Sequence, residues 1–254
     1  MSIDCDCVGR GVLSGAEAEM PQTAEEEEIC RLRRVYHCRD SYHTESYGLC
    51  QRSNVLQIEE VQREMQFLIS RRIGPDLSKK RILEVGCGSG YWLRQFIQWG
   101  ARPENLSGID LIPERIAKAR ELCPTAVYVQ CTEASKLGFD CGSFDMVLQS
   151  TVFTSILDTR MKEAVAAQII RVLKPGGCLL WYDFFVDNPW NPDVKGLRKA
   201  EIVHLFPGCR IELRRVTVAP PLGRILAVIA PLMYYAASSV KICCTHYLGV
   251  IDKP

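Results

Sequence analysis

The chain has 254 residues, 47% of them hydrophobic, and a formal net charge of +1. That length and apolar content suit one α/β core with an N-terminal addition, and near-neutrality argues against a nucleic-acid enzyme working through a broad basic surface. The 13 cysteines include no C-x-x-C pair, and no His spacing completes a zinc pattern, which predicts free thiols in a reducing cytoplasm and no metal site.

Residues 1–28 carry glycine and acid without periodicity and end in the run Glu25–Glu28. They are expected to be a disordered tail, with no secretory signal core. Residues 29–75 read as an N-terminal helical lid. Its polar-aromatic stretch from Tyr36 to Tyr47 precedes a helix from Asn54 to about Arg71, with Val55, Ile58, Val61, Met65, Leu68 and Ile69 on one side. Tyr36, Tyr42 and Tyr47 are candidate acceptor contacts or simply surface packing, and both readings stay open. The main domain is expected over 76–254.

A short apolar strand, Ile82–Val85, runs into three alternating glycines, Gly86, Gly88 and Gly90, and then into an apolar helical pattern beginning at Tyr91. Glycines at a strand-to-helix turn let the backbone bend tightly and approach a ligand, and the helix N-terminus offers unpaired N–H groups. The pattern is E-x-G-x-G-x-G and not the dinucleotide G-x-G-x-x-G. A second strand, Leu106–Leu111, carries Asp110, placed to accept hydrogen bonds from ribose hydroxyls. Pro113 opens a helix through Leu122. A third strand, Ala126–Gln130, leads into the segment Cys131–Phe139, and a fourth is expected within Ser143–Phe153. A helix from Ala164 to Leu173 ends in Lys174-Pro175-Gly176-Gly177, a turn that returns the chain to a fifth strand, Cys178–Phe184.

From about residue 80 to 185, these motifs in this order resemble the class I S-adenosylmethionine-dependent methyltransferases, in particular those acting on small molecules. The resemblance implies a Rossmann-like α/β three-layer sandwich, with a seven-stranded, mostly parallel sheet and an antiparallel last strand. It implies S-adenosyl-L-methionine as cofactor. Glu84, Gly86, Cys87, Gly88, Gly90 and Trp92 would surround the methionine part. Asp110 and Leu111 would face the ribose, and Thr132, Glu133 and Ala134 the adenine. Gln149 and Ser150 would lie beside the transferred methyl. The departures are Thr132 for a glycine, Glu133 for an aspartate and Gly138 for a proline.

Polar groups at the C-terminal ends of strands four and five make Thr151 and Asp183 candidate catalytic residues, with His43 and His204 as candidate imidazole bases and His246 a third. Phe153, Tyr182 and Phe184 join the tyrosines as candidate substrate contacts. No Asn/Asp-Pro-Pro-Tyr run follows strand four, which disfavours an exocyclic nitrogen acceptor in nucleic acid. The expected activity is metal-independent methyl transfer to a small or lipid-like metabolite in a biosynthetic pathway, by a cytoplasmic enzyme that could be a homodimer. The alternative is a cofactor-binding partner subunit without transfer activity.

Toward the C-terminus, Lys199–Phe206 suits a short helix, Cys209–Val218 a strand and Thr245–Ile251 the last strand. Between them lies an apolar insertion, 222–240. Its unbroken core, Ile225–Ala237, is about 13 residues, below the roughly 18 needed to span a bilayer. Packing that lines an apolar acceptor pocket is the favoured expectation. Contact with a membrane surface or a partner subunit is the other.

Overall fold

The computed structural model describes residues 23–42, 51–188, 191–229, 231–241 and 243–254; the side chains of 40–42, 229, 231 and 232 fall outside that description. Strands β1 (Ile82–Val85), β2 (Leu106–Asp110), β3 (Tyr128–Cys131), β4 (Phe144–Ser150), β5 (Leu173–Phe184), β6 (Arg210–Val218) and β7 (Cys244–Asp252) form one sheet in the order β3-β2-β1-β4-β5-β7-β6. The first five pair in parallel, and β7 inserts antiparallel between β5 and β6. Order reverses between β1 and β4, so the crevice beyond their C-terminal ends is the topological switch point where such sheets take ligands.

Strand periodicity divides the core into two layers. Ile82, Met146, Leu148 and Leu180 face the layer that holds α2 (Arg52–Ile73), α3 (Tyr91–Gln98) and α4 (Pro113–Leu122). Leu83, Val85, Val147 and Leu179 face α1 (Ala24–Tyr42), α5 (Thr159–Val172) and α6 (Lys199–Leu205). The sheet is thus buried on both sides, as a parallel sheet requires.

Three elements differ from the sequence reading. Helix α1 starts at Ala24, inside the stretch read as tail. Thr23 and Glu26 form a reciprocal capping box, with Glu26 N donating to Thr23 Oγ1 at 3.2 Å and Thr23 N donating to Glu26 Oε2 at 3.1 Å. The acidic run then sits at the positive end of the helix dipole. Glu28 is buried, accepts from Arg31 twice at 2.7 Å and from the Leu157 N–H, and so ties α1 to the loop after β4. Helix α5 begins at Thr159 because Asp158 caps it, accepting from Met161 N at 2.7 Å. Strand β5 begins at Leu173 with a register shift, so Lys174–Gly177 belongs to the strand.

The apolar insertion is a pair of helices, α7 (Pro220–Ile229) and α8 (Pro231–Val240), separated where Pro231 cannot continue a helix. They pack on α2 and the β6 edge through Leu56, Val218, Ala227 and Tyr234. Among the described residues, no helix is long and apolar enough to cross a membrane.

Candidate cofactor and acceptor site

A cavity of about 970 Å³ opens at the C-terminal ends of β1, β2, β4 and β5, at the upper end of the usual range for ligand sites. The turn after β1 forms its floor. Gly86 and Gly88 take φ of +72° and +52°, a region that costs other residues steric strain. At Gly86 a Cβ would fall 2.5 Å from Val152 Cγ2, whereas at Gly88 it would meet nothing within 4 Å. The Gly88 backbone is therefore laid bare to the cavity. Asp110 fixes it there, accepting from Gly88 N at 2.8 Å through one carboxylate oxygen and from Ile112 N at 2.9 Å through the other.

Glu84 lies beneath this turn. Its carboxyl is buried and lines the cavity, and Oε2 has no hydrogen-bond partner among the described residues. Burial first, and then the nearby Asp110 charge, hold its pKa well above the usual carboxylate range. A buried carboxyl with one unpartnered oxygen suits a ligand ammonium. With the bare Gly88 backbone and the Asp110 oxygens, the donor and acceptor set fits an amino-acid moiety joined to a nucleoside.

Of the residues singled out from sequence, Glu84, Gly86, Cys87, Gly88, Trp92, Asp110, Leu111, Thr132, Glu133, Ala134, Ser150, Thr151, Tyr36, Tyr182 and Phe184 all line this cavity. Others do not. Gly90 turns the chain into α3 behind the wall, where its Cβ would meet Cys123 Sγ at 2.6 Å. Gln149 is wholly buried and holds the turn after β4, accepting from Val152 N at 3.2 Å. Phe153 sits in the core, its ring 4.9 Å from Trp181 and 6.0 Å from Phe206. The reason is Thr151, which takes φ +58°. That twist sends Val152 toward Gly86 and swings Phe153 away from the cavity. Such a non-glycine outlier stores about 1–3 kcal/mol of strain.

His204 is exposed on α6, 3.6 Å from Glu163, and lines a separate surface cavity instead of this one. His43 and Tyr47 lie outside the described residues, as does the side chain of Tyr42. Among the described residues, helices α7 and α8 contribute no lining residue either; they pack on α2 and the β6 edge through Leu56 and Val218. The expectation that they wall the acceptor pocket is corrected on that ground. Among the described residues no cluster of His, Cys, Asp or Glu could hold a metal ion.

Asp183 stands one layer behind the lining. It accepts from Thr154 Oγ1 at 2.6 Å, from Thr154 N at 3.2 Å and from Phe184 N at 3.0 Å. Burial pushes its pKa up to about 7. The folded form keeps a proton that the unfolded chain releases near pH 4, so the stability this group contributes declines as pH rises through about 7. His246 acts oppositely: buried, with its pKa lowered to about 3, its contribution is present above about pH 6.5 and is lost as pH falls toward 3. The two slopes oppose one another in the acid range. A difference measurement separates them. Asp183→Asn mimics the neutral acid, so its destabilisation relative to wild type should shrink by roughly 2 kcal/mol between pH 5 and 7. Urea unfolding at both pH values measures this, and a pH-independent difference would mean an ionised Asp183.

The acceptor end of the cavity holds residues that strand ends alone did not assign. Tyr36 reaches from α1 to bond Ser155 Oγ at 2.8 Å, and Arg115 covers its ring at 4.3 Å. Gln57 of α2 donates to Tyr182 OH at 3.4 Å, and that hydroxyl also pairs with Thr217 Oγ1 at 3.0 Å. His246 lies flat on Tyr182, with centroids 4.9 Å apart and planes at 5°. It reaches the site because β7 pairs with β5 in the register Phe184↔His246. Thr245 Oγ1 donates to Thr217 O at 3.5 Å and pairs with His246 Nδ1 at 3.0 Å. The direction of the Thr245–His246 bond follows the imidazole tautomer: a protonated Nδ1 would donate to the threonine and leave Nε2 as the accepting nitrogen.

Comparison with known proteins bears on the same region. A family described as a methyltransferase domain matches residues 82–177. The phthiotriol/phenolphthiotriol dimycocerosates methyltransferase of Mycobacterium leprae is 31% identical over 132 residues, 50% of this chain and 47% of the relative. The tRNA N(3)-cytidine methyltransferase of Gallus gallus is 23% identical over 185 residues, 63% of this chain and 49% of the relative. The chain thus spans about half the length of the curated relatives it matches. Among solved structures, the 1,6-didemethyltoxoflavin-N1-methyltransferase of Burkholderia thailandensis, with bound 1,6-didemethyltoxoflavin and S-adenosylhomocysteine, superposes with a TM-score of 0.62 over 92% of each chain at 18% identity. A likeness at that identity concerns the fold. Residues 82–177, which hold the glycine turn and strands β1 to β4, thus resemble a methyltransferase domain, and the strand order agrees with that match.

Proposed function

We propose that this chain binds S-adenosyl-L-methionine in the 970 Å³ cavity and transfers its methyl group to a small or lipid-like acceptor by in-line displacement. The observation that carries the reading is the joint placement of Glu84, the bare Gly88 backbone and Asp110 around one cavity at the switch point. Glu84 would hold the methionine ammonium, Asp110 the ribose hydroxyls, and Thr132, Glu133 and Ala134 the adenine edge and face. The bound cofactor supplies a methyl group already activated by positive sulfur.

What remains for the protein is to align an acceptor and exclude water. Tyr36, Trp92, Ile156, Met161, Phe184 and Val194 give the cavity apolar walls, which favours an acceptor with aromatic or aliphatic surface. The Tyr182–His246 stack sits at that end. His246 lines that end of the cavity; burial lowers its pKa to about 3 and keeps the ring neutral, so it would accept a hydrogen bond from the substrate's O–H or N–H without retaining the proton. The M. leprae relative is named for phthiotriol and phenolphthiotriol dimycocerosates, and the Gallus gallus relative for cytidine in tRNA. The relatives therefore leave the acceptor to experiment.

Asp110→Ala should weaken cofactor binding by roughly 1.5–3 kcal/mol, the range for hydrogen bonds to a charged group, and should also loosen the Gly88 turn that it anchors. Calorimetry with S-adenosylhomocysteine measures this; unchanged affinity would mean that another group holds the ribose. The function itself is tested by incubating the protein, methyl-labelled S-adenosylmethionine and a cell extract, then fractionating the label. Label in organic-soluble or small aqueous metabolites supports the proposal. Label in RNA or protein contradicts the acceptor class, and cofactor binding without any label transfer supports a partner subunit.

A further inference from the structure

The α7–α8 pair carries a second surface, separate from the cavity. Its inner side is accounted for. Gly223 and Ala227 of α7 and Tyr234 and Ser238 of α8 are buried. Ala227 and Tyr234 pack with Leu56 and Val218. Ser238 Oγ donates to Glu60 at 2.5 Å and Tyr234 OH at 3.4 Å. The outer side is apolar and uncovered. Val228 is 73% exposed, Val240 60%, and Ile225 and Met233 56% each, with Tyr235 beside them. Ile225 and Val228 are three apart on α7, and Met233 and Val240 are seven apart on α8, so each pair shares a helix face.

Charge says what covers this face. Arg224 is exposed beside Ile225, and Lys241 follows Val240. Neither has a carboxylate partner among the described residues. No Asp or Glu occurs anywhere between Glu212 and Asp252. A second copy docked on the same patch about a two-fold axis would bring these like charges together, which is unfavourable. An anionic surface would meet both cations and take up the apolar side chains.

We propose that the outer face of α7 and α8 docks on an anionic lipid bilayer, lying in the interface without crossing it. Ile225, Val228, Met233 and Val240 enter the boundary between headgroups and acyl chains, and Arg224 and Lys241 meet lipid phosphates. The helices span ten residues each, far short of a bilayer's thickness. Helix α2 joins this surface to the cavity: Leu56 packs with the hairpin, and the adjacent Gln57 lines the cavity. The inference does not require a bound cofactor and stands or falls apart from the methyl-transfer proposal.

The test is flotation of the purified full chain with two vesicle preparations, phosphatidylcholine alone and phosphatidylcholine mixed with phosphatidylglycerol. The protein should float with the anionic vesicles and be released by high salt. Arg224→Gln and Lys241→Gln should each lower vesicle affinity about fivefold. Ile225→Ser combined with Val228→Ser should lower it at least tenfold. Arg224, Ile225 and Val228 are exposed on α7 and Lys241 is half-exposed just past α8, so a melt of each variant beside wild type confirms that the fold is kept. No flotation, or flotation that these variants leave unchanged while folded, overturns the proposal. So does a dimer in sedimentation that Ile225→Ser with Val228→Ser dissociates, because the face would then belong to a second copy.

Discussion

Gly88→Leu should reduce S-adenosylhomocysteine binding at least a hundredfold while leaving a folded protein. The two glycines of the turn differ in what surrounds them. A Cβ on Gly86 runs into Val152 Cγ2 at 2.5 Å, so a larger residue there disturbs the protein itself. A Cβ on Gly88 meets no protein atom within 4 Å, and the residue lines the cavity. A leucine there would project into the ligand's space. Its intramolecular cost is the strain of φ +52°, about 1–2 kcal/mol, which a domain of this size tolerates. Binding loss with a modest fall in melting temperature is thus the signature of a backbone laid against the ligand. Calorimetry paired with a thermal melt reads both quantities. Wild-type affinity in the variant would mean that the turn does not cradle the cofactor.

Glu60→Ala should cost about 3 kcal/mol of stability. Glu60 is buried on α2, where its carboxylate accepts from Ser238 Oγ at 2.5 Å, Thr217 N at 3.3 Å and Tyr234 OH at 3.4 Å. Removing it strands three buried donors and leaves a void under the α7–α8 hairpin. Thr217 holds φ +65°, so the same carboxylate steadies a strained residue that in turn positions the Tyr182 hydroxyl. Glu60→Gln keeps the volume and one acceptor oxygen and should cost less than half as much. Urea unfolding of both variants gives the comparison. A loss below about 0.5 kcal/mol, the usual size for a surface substitution, would show that the carboxylate does not clamp the hairpin.

The cofactor half was legible because its residues are bound to local backbone chemistry. Gly86 and Gly88 stand where the backbone needs positive φ, and Asp110 ends the strand beside them. The Thr23–Glu26 capping box lay inside the stretch read as a tail, because the acidic run after it has no apolar periodicity. The start of α5 at Asp158 is not marked by apolar periodicity, which begins only at Ala164, because a cap carries no apolar side chain. Other features depend on tertiary pairing that no local pattern encodes. His246 enters the site through the β5–β7 register. Asp183 differs: strand alternation turns it to the face opposite Tyr182 and Phe184, behind Thr154, which the period of two already implied. Phe153 and Gln149 were assigned by their place at a strand end. The left-handed turn at Thr151 overrode that placement for Phe153, whereas Gln149 lies within β4 between β1 and β5. The α7–α8 segment is apolar on both faces, so its sequence could not say which face meets α2 and which meets solvent.

The central claim is that the cavity beyond β1 and β2 is an S-adenosylmethionine site. Calorimetric titration of the folded wild-type chain with S-adenosylhomocysteine, with NAD as the control ligand, tests it most directly. Micromolar affinity for S-adenosylhomocysteine, about −8 kcal/mol, with no heat from NAD, is the predicted result. No binding of S-adenosylhomocysteine to a cooperatively folded protein, or a preference for NAD, would contradict the account.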